Sequence, residues 1–99
     1  MPMFDKMKSL MDMQKKMQEV KRQLELAVFE VESSDGLVKI TMNGSQEVQG
    51  VKFSRSLAQV DSIVLEQAVK DAFAKAIKRS QAVAAEKMRD VTGFSLPGA

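Results

Sequence analysis

The chain has 99 residues, 44% hydrophobic and 28% charged, a composition that describes one small domain whose apolar runs are too short to span a membrane. With no His and no Cys it lacks the usual general base, the thiolate nucleophile and the common zinc ligands, so no enzyme, metal site or cofactor is expected. A net charge of +2 permits an anionic partner without requiring one, and the lack of Cys and of a signal-peptide pattern fits a cytoplasmic setting.

The N-terminal segment repeats every seven residues. Leu10, Met17 and Leu24 continue a row begun at Met3, and Met13 and Val20 form a second apolar row. This predicts a helix over about residues 3–26 with a narrow apolar seam that wants a partner helix. Met7 and Met11 are expected to flank that seam. A Met-rich seam could also serve as an adaptable surface for a partner protein.

The apolar period then shortens. Phe29 and Val31 alternate with Glu30 and Glu32, which predicts a half-buried strand at residues 26–32. Ser33, Ser34, Asp35 and Gly36 supply a turn before a second strand at 37–42. Asn43-Gly44 predicts a tight type I′ hairpin turn, because both residues tolerate positive φ. A third strand at 46–54 holds Val48 and Val51 at an odd step around Gly50, which predicts a bulge. Asp61 or Ser62 caps a second helix running to about residue 91, with Leu65, Ala68, Val69, Ala72, Phe73, Ala76, Ile77 and Val83 on its apolar face. The expected divisions are a helical arm (1–26), a β-meander (27–54), a C-terminal helix (61–91) and a flexible tail (92–99).

The predicted fold is therefore α+β, an α-β-β-β-α subunit with a three-stranded antiparallel sheet. Open sheet edges and the unfilled seam predict a homodimer joined through the sheets, with the helices projecting.

Several stretches together resemble the YbaB/EbfC family of nucleoid-associated proteins. They are the basic Met/Gln-rich run from Leu10 to Gln18, the hairpin from Gly36 to Gly44 followed by Val48 and Val51-Lys52-Phe53, the pattern Leu65-Glu66, Val69, Ala72-Phe73, Ala76, and the tail Thr92-Gly93-Phe94-Ser95-Leu96-Pro97-Gly98. The resemblance implies a tweezer-like homodimer that binds double-stranded DNA in the bacterial nucleoid and takes no small-molecule substrate. In this chain the helix starts almost at once, and the acidic stretch common after the third strand is reduced to Ser54-Arg55-Ser56.

Duplex DNA demands several cations on one surface. The candidates on the first helix are Lys8, Lys15, Lys16, Lys21 and Arg22; those on the second are Lys75, Lys78 and Arg79. Lys8, Lys15 and Arg22 stack on one line nearly opposite the seam. Asp5, Asp12 and Glu19 each precede one of them by three residues, a spacing that forms ion pairs on a solvated helix and would part-neutralise the row. Without Trp or Tyr there is no platform for stacking unpaired bases. The rival reading is a protein-interaction module whose charges serve solubility.

Overall fold

The computed structural model describes residues 2–93 and has the order α1 (Pro2–Leu26), β1 (Val28–Glu32), β2 (Val38–Asn43), β3 (Val48–Phe53), a 3-10 turn (Leu57–Gln59) and α2 (Ser62–Thr92). The strands form one antiparallel sheet in the order β1-β2-β3. Of the tail expected at 92–99, Thr92 is the last residue of α2 and Gly93 its C-cap, and residues 94–99 lie outside the described residues.

The sheet buries one face against α2. On β2, Val38, Ile40 and Met42 are buried at every second position, and they meet Ala68, Ala72 and Ala76, spaced four apart on α2. Methyl side chains at that spacing let the helix approach the sheet closely, as one-face burial of a period-2 strand requires. Phe29 and Val31 of β1 and Leu65, Val69 and Phe73 of α2 border this core.

Local chemistry explains the boundaries. The N–H of Ala27 still donates to the carbonyl of Gln23 at 3.0 Å, so β1 begins at Val28, two residues later than the alternation suggests. Asp61 caps α2 by accepting from the N–H groups of Ile63 and Val64, and Gly93 ends it at φ 79°. The expected bulge is present. Thr41 pairs with Gly50 and Met42 with Val48, leaving Gln49 as the extra residue, so Val48 and Val51 share the face of Met42 and Ile40.

The β2–β3 connection is a correction. It is a hairpin, but not of type I′: neither Asn43 nor Gly44 has positive φ, and the left-handed residue is Gln46 at φ 61°. The N–H of Gln46 donates to the carbonyl of Asn43 and that of Asn43 to Glu47, giving a longer loop closed by a left-handed residue. The Asn43 side chain organises it, its Oδ1 accepting from the N–H groups of Ser45 and Glu47. Gly44 is glycine for another reason. A Cβ there would lie 3.1 Å from the Leu24 carbonyl oxygen and 3.2 Å from a Val83 methyl.

This loop joins three elements. The N–H of Gly44 donates to the Leu24 carbonyl at 2.9 Å, and Asn43 Nδ2 donates to that of Glu25 at 3.2 Å. Those are two of the terminal carbonyls that a helix leaves without internal partners. The buried hydroxyl of Ser80 on α2 donates to the Asn43 carbonyl at 3.0 Å. From this joint α1 and the second half of α2 extend side by side, giving an elongated molecule of 70 × 23 × 16 Å.

Candidate nucleic-acid interface

Two contacts fix how the helices face one another. Leu24 and Val83 both close on Gly44, and farther out Ser9, Asp12, Met13, Lys16 and Met17 share a groove of about 450 Å³ with Met88 and Thr92. The helices therefore run antiparallel, with Met13, Met17, Val20 and Leu24 on the inner side of α1. Only the sheet-proximal part of that seam is sealed. Val20 is 2% exposed, whereas Leu10 is 62% and Met13 61% exposed.

At 3.6 residues per turn, Lys8, Lys15 and Arg22 project from the side of α1 away from α2. Phe4 and Met11 are exposed and fall on this same outward side, since Met11 lies half a turn from Val20, whereas exposed Met7 sits about 60° from Leu10, beside the seam. The expectation that Met7 and Met11 flank the seam therefore fails at Met11 alone.

The three acid–base spacings behave differently. Glu19 and Arg22 form a two-pronged pair, with Arg22 Nε donating to Glu19 Oε2 at 2.9 Å, and Gln23 Nε2 donates to Glu19 as well. The Arg22 and Gln23 hydrogen bonds hold the Glu19 carboxyl down at about 2. Asp5–Lys8 and Asp12–Lys15 form no ion pair, so the row is part-neutralised at Arg22 alone. Lys21 is exposed on the flank, and Lys16 turns into the inter-helix groove beside Asp12.

On α2 the three candidates separate. Lys75 Nζ lies 3.2 Å from Asp71 and donates to the Glu32 carbonyl at 3.2 Å and to Ser34 Oγ at 2.9 Å. Asp71 in turn accepts from the N–H of Ser34 at 2.6 Å, and that bond, then Lys75, holds its carboxyl below the usual range. Lys75 therefore fastens the β1–β2 turn to α2. The turn is ordered from within too: Ser33 Oγ–H and the N–H of Leu37 both donate to Asp35, lowering its pKa, and Gly36 supplies φ 74°. Reversing the charge at Lys75 is therefore expected to disturb this turn, which reversal at Lys78 or Arg79 would not touch.

Lys78 and Arg79 are exposed and bonded to no described residue. Arg89, left out of the candidate set, is equally free and lies on the side of α2 that bears Lys78. Its signal in the sequence was its distance from the apolar face, masked by neighbouring Glu86 and Asp90.

The sheet presents a different surface. Val48, Val51 and Phe53 on the β3 edge are 39–48% exposed although they share the face that α2 covers on β1 and β2. Among the described residues, no group of His, Cys, Asp or Glu is arranged to hold a metal ion, and no helix is long and apolar enough to cross a membrane.

Long helices with free cations on their outer sides, mounted on a small α+β core, are the architecture of a compact DNA-binding protein. A family model for the YbaB/EbfC DNA-binding family matches residues 1–95. The chain belongs to that family, which is nucleoid-associated.

Proposed function

We propose that this protein is a homodimer that binds double-stranded DNA through its helical arms, chiefly at phosphates, in the bacterial cytoplasm on the nucleoid. The observation that carries the reading is that five of the candidate cations, Lys8, Lys15, Lys21, Lys78 and Arg79, are exposed and have no acidic partner among the described residues. Lys16, beside Asp12, and Arg22, held by Glu19, have secondary places in this interface, and Lys75 has a structural one. Point cations of this kind attract phosphates without reading base edges, so sequence preference is modest and the role is chromosome organisation or broad regulation.

The dimer reading is supported by the β3 edge. Val48, Val51 and Phe53 place apolar side chains next to unpaired strand groups, a combination that a second sheet would cover. The alternative, a protein-interaction module, draws support from the exposed Leu10, Met13 and Met17.

Fluorescence anisotropy of a labelled duplex across a salt series tests the proposal. Binding should weaken linearly in log–log form with a slope of about −0.9 per phosphate contacted. Absence of binding in low salt, or binding indifferent to salt, favours the protein-interaction reading.

A further inference from the structure

The candidate cations do not converge on one surface. The inner side of α1 is fixed by Leu24 against Gly44 and by Met13 and Met17 opposite Met88; the inner side of α2 is fixed by Val83 and Met88. Against that reference, with buried Ala85 and groove-lining Thr92 also on the inner half of α2, helical geometry sets Lys8 and Lys15 on the far side of α1, and Lys78 and Arg89 on a flank of α2 that turns away from Lys8 and Lys15. All four are exposed and bonded to no described residue.

The pair of helices thus carries free positive charge on two sides that turn away from each other. Two helix thicknesses separate them, about 20 Å. At physiological salt the Debye length is about 8 Å, so a phosphate row against one side is screened from cations on the other. A duplex seated on the α1 side leaves Lys78 and Arg89 unused.

Resting on the DNA-binding reading above, we infer that the arm engages two duplexes at once, one against each side, and that the protein bridges DNA segments. Each side is sparse. Glu19 already occupies Arg22, and Glu86 lies near Lys78 and Arg89 on α2. Few phosphate contacts per side make each duplex weakly held, and simultaneous engagement of both then raises the overall affinity through effective concentration.

The test uses the full chain with two duplexes, one on beads and one carrying a fluorophore, alongside anisotropy of a single duplex. The wild type binds the single duplex and recruits the second to the beads. Lys8→Glu/Lys15→Glu and Lys78→Glu/Arg89→Glu each weaken single-duplex binding by about twofold, because one of the two sides remains, leave the salt slope at that of the remaining side, and lose bead recruitment to background. Circular dichroism and sedimentation confirm an intact fold and assembly, and the corresponding Gln variants replace any reversal that disturbs the helix. Several outcomes overturn the inference: recruitment surviving in either variant, which places bridging on repeated copies of one side; loss of all binding in one variant with the other unaffected; or a wild type that binds but never recruits. A wild type that binds no duplex in low salt removes the DNA-binding reading itself.

Discussion

At its C-terminal end α1 is held by hydrogen bonds from Gly44 and Asn43 to its last carbonyls and by the burial of Val20, whereas every residue from Phe4 to Gln18 is exposed. One helix therefore spans two regimes. Near the sheet its position is over-determined by backbone bonds and close packing. Along the outer stretch its conformation rests on helix propensity and on what little α2 supplies. The sequence pattern is uniform across this divide, with the same seven-residue period throughout, so the contrast comes from what α2 and the hairpin loop happen to reach.

Three comparisons, using four substitutions, probe the contrast from the largest effect to the smallest. Asn43→Ala removes a buried side chain that bonds Glu25, Ser45 and Glu47, and is expected to cost about 2–3 kcal/mol in urea unfolding. A loss under half that would mean the loop is not what anchors α1. Lys75→Ala releases the β1–β2 turn from α2; its partially exposed partners put the cost at about 1 kcal/mol, against no change for Lys78→Ala. Equal behaviour of the two lysines in a thermal melt would undo the division between fastening and free cations. Met13→Gln, out on the arm, should stay within about 0.5 kcal/mol, as exposed positions do. A markedly larger loss, growing with protein concentration, would show that a second copy buries the seam.

Much of the fold was legible because its signals are periodic. The alternating Phe29 and Val31, the alanines four apart on α2 and the odd step from Val48 to Val51 each name an element or an irregularity, and the structure has all of them. The loop at Asn43-Gly44 was legible in place but not in cause. Glycine signals either left-handed backbone or close approach, and only the position of Leu24 and Val83 reveals that the second applies. Ser80 left no signal, since a serine within an apolar stripe looks like a gap until the Asn43 carbonyl is found opposite it.

The charged residues were the least legible. Asp5–Lys8, Asp12–Lys15 and Glu19–Arg22 have the same spacing, yet only the last pair closes, where Gln23 also braces the carboxylate. Lys75 and Lys78 differ by a single turn, and one is tied to Ser34 and Glu32 while the other faces solvent. Which cation is spoken for depends on chain segments some forty residues away, and local spacing carries no record of them.

The close approach at Gly44 also sets a mechanical property. From Leu24 to Lys8 the helix rises about 24 Å at 1.5 Å per residue, so a tilt of about 5° at the joint displaces the outer lysines by about 2 Å. The tight fit among Gly44, Leu24 and Val83 acts as the fulcrum of that lever. Stiffness at the fulcrum, more than any contact along the outer helix, decides how accurately the distal cations are aimed.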